Sequence, residues 1–336
     1  MKPLRFISIM IICSMFLINI YAKDKQEIRK TFKNKTSVKI NTISGDCVVK
    51  KGPGPDIEVF FAHTYSNLAF EPRFIEENST LILTEKFRLS GSGDSTWHIT
   101  VPEKTNIHYS SISGDFSVEG LKSNIYAKTI SGGVRARNCI GDLDLSSVSG
   151  NMDIQDLSGK VYIKSTSSDL RVKKLSGEIY VKTASGDVDA EELEGAITIK
   201  VPSGDVDIKD AKGSFEIKSA SGDIDANGII LTKPSHFKVA SGSVYISLAQ
   251  SADYDLNLDS ASGDVVLNYN GNPIEGYFEF KASLDSGEII APFPFDKEEE
   301  IEKWGKTYVI KSFKRVAEIP KIYIYTATGK AVLKEK

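Results

Sequence analysis

The stretch Ser203-Gly204-Asp205-Val206-Asp207-Ile208-Lys209-Asp210-Ala211-Lys212-Gly213-Ser214-Phe215-Glu216-Ile217-Lys218-Ser219-Ala220 runs directly into Ser221-Gly222-Asp223, and the same tripeptide or a variant opens at Ser113, Ser131, Ser149, Ser167 and Ser185. Each of these serines lies 18 residues after the one before, so the chain is built on a repeat. Looser copies follow at Ser241, Ser262 and Ser286, and an isolated one, Ser44-Gly45-Asp46, stands near the start. A second glycine recurs half a repeat away, at Gly141, Gly159, Gly177, Gly195 and Gly213, so each unit is two halves opened by glycine corners. Between corners the residues alternate, Val206 and Ile208 with Asp205 and Asp207, then Phe215 and Ile217 with Glu216 and Lys218, which is the period of a β-strand.

Stacking the copies gives apolar columns. One is Phe116, Val134, Met152, Leu170, Val188, Val206, Ile224; on the opposite half it is Ile125, Leu143, Val161, Ile179, Ile197, Phe215. One coil cannot bury its own apolar face, but coils stacked about 4.8 Å apart enclose a continuous core between parallel sheets. An antiparallel meander would not set equivalent residues of successive repeats side by side. The expected fold is therefore all-β, a single-chain parallel β-solenoid (β-helix) of 18-residue coils with two strands per coil, spanning 111–290. Residues 23–110 read as a β-rich N-terminal cap, and 291–336 as a short C-terminal cap in which Asp296 to Lys303 forms a helix or loop.

Ahead of this, Lys2 and Arg5 precede an apolar run from Phe6 to Ile20 that ends at Tyr21-Ala22. The run is about 15 residues, short of the roughly 20 that cross a bilayer, and Ala22 suits a signal peptidase, so 1–22 reads as a secretory signal peptide rather than an anchor at Cys13. The expected location is outside the cytoplasm: periplasm, cell surface or secreted. A net charge of −3 demands neither nucleic acid nor an anionic membrane surface, and no segment of the mature chain is apolar enough to span a membrane. Cys47 and Cys139 fall at inward positions and read as buried free thiols.

An exported chain with an early Ser-Gly-Asp strand, the segment Trp97-His98-Ile99-Thr100-Val101-Pro102 and serial Ser-Gly-Asp-Val units resembles the bacterial putative-adhesin family of β-strand-repeat proteins, a domain-of-unknown-function family. The resemblance implies a non-catalytic surface or envelope protein, brings no catalytic residues with it, and links some relatives to sensing of envelope stress.

The inventory of side chains agrees with a non-enzyme. His63, His98, His108 and His236 are scattered without metal-ligand spacing, and no nucleophile elbow or phosphate loop occurs. A carbohydrate-active enzyme would need a carboxylate pair, whereas these acids repeat in every coil. The acids form two columns, Asp187, Asp205 and Asp223 after the turn glycine, and Asp189, Asp207 and Asp225 two residues on. The first reading is that the turn aspartates accept hydrogen bonds from turn amides; the alternative is calcium held between coils, giving a stiffened scaffold without a specific ligand. No other cofactor is implied. The best ligand candidate is on the other half-coil. There Tyr126, Tyr162 and Tyr180 share one outward column, and Lys128, Lys164, Lys182, Lys200 and Lys218 the next, a face suited to stacking on sugar rings and attracting anionic groups of an envelope or extracellular glycan, or to anchoring a protein partner. An inward column of Thr129, Ser147, Ser165, Thr183 and Ser219 serves the corners.

Overall fold

The computed structural model describes residues 25–303 and 305–336, so the leader read at 1–22, with Cys13, lies outside the described residues. Among the described residues the chain is all-β, with 27 strands and no helix. The strand Leu170–Lys182 lies parallel between Met152–Ser165 and Val188–Ser203, and the register sets each residue against one 18 positions away: Met152, Leu170 and Val188 in one row, Tyr162, Tyr180 and Thr198 in another. The row continues through Val206–Lys209 and Lys212–Ser221. Parallel pairing with no helical crossover, both sheets sharing one interior, is the solenoid the repeat requires. The inward columns are buried, with Val188, Val206 and Ile224 fully so.

The turn glycines are required by the stacking itself. Gly204 has φ +132° and carries the main chain of the coil below so close that a Cβ would lie 2.4 Å from the Gly186 carbonyl oxygen. The corner hydroxyls do the work expected of them: Thr129 Oγ1 accepts the Gly132 N–H at 3.0 Å, and Ser147 Oγ the Gly150 N–H at 2.8 Å. Ser219 departs from this, its buried hydroxyl having no hydrogen-bond partner among the described residues.

A third side of the coil escaped the two-strand reading. Asn138, Asp156, Lys174, Glu192 and Asp210 recur every 18 residues with φ between 53° and 55°. This left-handed residue bends the strand and turns the next one inward, so that Cys139, Leu157, Leu175, Leu193 and Ala211 form a further buried column. Cys139 and Cys47 are both free and buried, and burial pushes both thiols above their usual pKa.

Strand pairing crosses both of the expected cap boundaries. Ser37–Asn41 stacks parallel on Asn106–Ser110 and Asp46–Lys51 on Phe116–Glu119, so the early Ser44-Gly45-Asp46 is the corner of a first coil separated from the next by an excursion of chain. That excursion supplies antiparallel strands, Ile57–His63 between Gln26–Phe32 and Ser95–Val101, and Phe70–Glu77 against Thr80–Phe87. Phe61 packs on Trp97 at 4.1 Å between ring centroids and closes that end of the core. At the other end the strand Lys321–Lys334 slides between two coils, parallel to Leu256–Ser262 and Val265–Asn268 on one side and to Gly276–Ser283 and Gly287–Ile290 on the other. The segment expected as a helix or loop at Asp296 to Lys303 is instead the strand Lys297–Lys303, paired among the described residues only with Lys306–Arg315. It is an outer edge exposed on both sides, so it lacks the apolar alternation that reveals a strand, and its charges discourage pairing with another chain.

Candidate binding faces

The two outward columns of the second half-coil form one continuous surface. Across the ladder Tyr126 stands against Asp144, Asp144 against Tyr162, and Tyr162 against Tyr180, with Lys128, Ser146, Lys164 and Lys182 in the adjoining row. Lys200, Lys218 and Lys238 continue that row. The rings of Tyr162 and Tyr180 are stacked at 4.8 Å and 7° to each other, and the Lys200 ammonium lies 5.6 Å from the centre of the Tyr180 ring. Tyr126 and Tyr162 are exposed. Lys218 pairs with Glu216 at 2.5 Å and Lys238 with Asp259 at 3.1 Å, whereas Lys164, Lys182 and Lys200 form no salt bridge among the described residues. The positive charge left uncancelled is therefore concentrated beside the stacked tyrosines.

Sequence reasoning did not single out Asp144. Because its side chain is short where its column neighbours are tyrosines, it leaves a recess of about 290 Å³ walled by Tyr126 and Tyr162 and bordered by His108, Asn124 and Lys160. Partial burial raises the Asp144 pKa, opposed by Lys164. A recess with aromatic walls and a carboxylate floor can hold a sugar ring, the faces stacking and the floor accepting hydroxyls. The signal was present as an acidic residue standing between two tyrosines of the column, Tyr126 and Tyr162.

On the first half-coil the turn aspartates form a ladder of their own. Asp187 Oδ1 accepts the Asp205 N–H at 2.9 Å, Asp205 Oδ1 the Asp223 N–H at 2.8 Å, and Asp223 Oδ1 the Ser243 N–H at 2.7 Å. Each carboxylate thus bonds the amide of the coil that follows rather than its own turn. The second acidic column begins with alternating charge, Arg135 approaching Asp153 at 3.6 Å and Arg171 approaching Asp189 at 3.8 Å. It then runs Asp189, Asp207, Asp225 without a cation between them. Burial first, and then Asp225 and Asp189, raise the Asp207 pKa. Asp187, Asp189, Asp205 and Asp207, with Arg135 and Arg171, line a groove of about 690 Å³. Among the described residues no three His, Cys, Asp or Glu side chains come together as a metal ligand set.

Residues 9–289 match the model of the Toastrack DUF4097 family, a domain of unknown function, and the chain belongs to that family. No curated protein matches it in sequence. Among solved structures it is similar to a putative cell adhesion protein from Clostridium sporogenes, with 12% identity and a TM-score of 0.22 over 93% of this chain and 100% of that one. It is also similar to a putative lipid binding protein from Parabacteroides distasonis, with 14% identity and a TM-score of 0.36 over 94% and 98%. A putative adhesin from Bacteroides fragilis has 14% identity and a TM-score of 0.34 over 75% and 99%. These likenesses carry no argument about what this chain binds.

Proposed function

We propose that this protein is an exported, non-catalytic binding module that presents its Tyr/Lys face to an anionic glycan of the cell envelope or surface. The observation that carries the reading is the stacked pair Tyr162 and Tyr180 beside Lys164 and Lys182, which form no salt bridge among the described residues, on an outward sheet face. Aromatic platforms favour sugar rings, and unpaired ammonium groups favour uronate, phosphate or sulfate substituents. Export rests on the apolar leader and its small residue Ala22.

A second reading, a calcium-stiffened scaffold, draws on the cation-free run Asp189, Asp207, Asp225. One screen separates the two. The purified protein is applied to an array of neutral and anionic glycans with calcium and with chelator, alongside the double variant Lys182→Glu/Lys200→Glu. Binding limited to anionic glycans, weakened by salt and abolished in the double variant, supports the Tyr/Lys face. Binding to no glycan, with a melting temperature that falls on chelation, supports the scaffold instead. Retention by a protein partner alone, with no glycan bound, overturns the glycan reading.

A further inference from the structure

The aromatic character of the ligand face does not end with the repeat. On the inserted strand Lys321–Lys334, Tyr323 and Tyr325 stand against Asn257 and Asp259. Those residues stand against His236 and Lys238, and the row runs back through Glu216 and Thr198 to Tyr180. Residues paired across a ladder point to the same face, so the two groups of tyrosines share one surface. Five strand steps separate Tyr180 from Tyr323, about 24 Å at roughly 4.8 Å per step.

The far group is built from chain outside the regular repeat. Tyr323 and Tyr325 meet edge to face at 5.7 Å. Glu279, opposite Tyr323 in the neighbouring strand, accepts the hydroxyls of Tyr277 at 3.0 Å and of Tyr325. The Lys281 ammonium lies between the rings of Tyr325, at 4.8 Å, and Tyr308, at 5.5 Å. Repetition of a strand-favouring residue cannot account for this, because the inserted strand lies 66 positions from its ladder partners and the other two tyrosines come from separate strands. Between the two groups Lys218 and Lys238 are neutralised by Glu216 and Asp259, so the features that hold a ligand are at the ends.

We infer that Tyr323, with Glu279 and Lys281 beside it, is a second carbohydrate subsite, and that one extended anionic glycan lies across the strands with one end on Tyr162 and Tyr180 and the other on Tyr323. The inference rests on the reading of the Tyr/Lys face given above. Linking two weak subsites through one chain raises affinity without new contacts, provided the chain spans the gap.

The test is a length series of oligogalacturonates, from the disaccharide to the dodecasaccharide, titrated by calorimetry into the intact protein and into Tyr323→Ser. Glu279→Gln, which keeps the side-chain shape, is measured alongside, and thermal melts confirm that both variants fold. The expected result is a rise in affinity of about tenfold or more once the oligomer spans the gap. Tyr323→Ser should remove that rise while leaving the short oligomers bound as before. An affinity that does not depend on length beyond the short oligomers, or a rise that both variants retain, overturns the second subsite; if binding is then still lost in Tyr162→Ser/Tyr180→Ser, the first face stands without it. Failure of every length to bind overturns both for uronate ligands.

Discussion

Asp205 Oδ1 accepts the main-chain N–H of Asp223 at 2.8 Å, joining one coil to the next through a side chain at the point where the parallel strands have ended. The same bond is made by Asp46 to Asp115 and by Asp115 to Gly133, so it recurs along most of the stack. At one level Asn151 serves instead, its Oδ1 facing the Asp169 N–H at 3.4 Å. The aspartate column of the sequence is therefore a set of rungs. Asp205→Ala should cost about 1–2 kcal/mol in urea unfolding, since a charge-assisted bond is lost and an amide is left to water. Asp205→Asn should cost less than half as much.

The rung and the glycine beside it depend on each other. Gly222 has φ +126°, and a Cβ there would lie 2.2 Å from the Gly204 carbonyl oxygen. Gly222→Ala forces the coils apart at the corner and should destabilise by about 3 kcal/mol or more, measured by denaturant melts or seen as loss of soluble protein.

Glu85 does for the first coil what a preceding coil does for the others. The Ser113 N–H donates to the Ile43 carbonyl at 2.9 Å, and the Ser131 N–H to Ile112 in the same way, one coil back. Ile43 and Ser44 have the Glu85 carboxylate instead, which accepts their N–H groups at 2.8 and 3.4 Å as well as the Ser95 hydroxyl at 2.6 Å and the Trp97 indole N–H at 3.1 Å. Glu85→Ala leaves the buried Ser95 hydroxyl and Trp97 indole N–H unpaired and should lower stability by about 3 kcal/mol. Native-state hydrogen exchange should show the loss first in residues 37–51, with the central coils protected as before.

Asp207 is raised in pKa by burial and by Asp225 and Asp189. A carboxyl that holds its proton more tightly when folded favours folding only where it is protonated, below the ordinary Asp value near ~3.9, and that contribution is lost as pH rises through the folded pKa. At neutral pH its charge opposes folding. Asp207→Asn should raise the melting temperature at pH 7, with a gain that fades as the pH falls toward 4, and the effect should stay below about 1 kcal/mol because solvent screens exposed carboxylates.

The parts of the fold legible in sequence were those where spacing alone fixes the neighbour. An 18-residue repeat puts Val188 beside Leu170 and Val206, so a column of like residues announces their shared burial. The Tyr/Lys face was legible for the same reason. The left-handed corner was not, because Asn138, Asp156, Lys174, Glu192 and Asp210 share a backbone angle and no side-chain type. Nor could spacing show that Lys321–Lys334 inserts between two earlier coils, since that pairing joins residues with no common period. The Asp144 recess went unseen because it is defined by the absence of a tyrosine from its column.

The most direct measurement is calorimetric titration of the tightest-binding anionic glycan into the protein and into Tyr162→Ser/Tyr180→Ser, with melting curves for both. The account requires a loss of affinity of about tenfold or more, as removal of two central aromatic contacts brings, with the melting temperature nearly unchanged. Equal affinity in the two proteins would contradict it and would leave these tyrosines as strand-packing residues only.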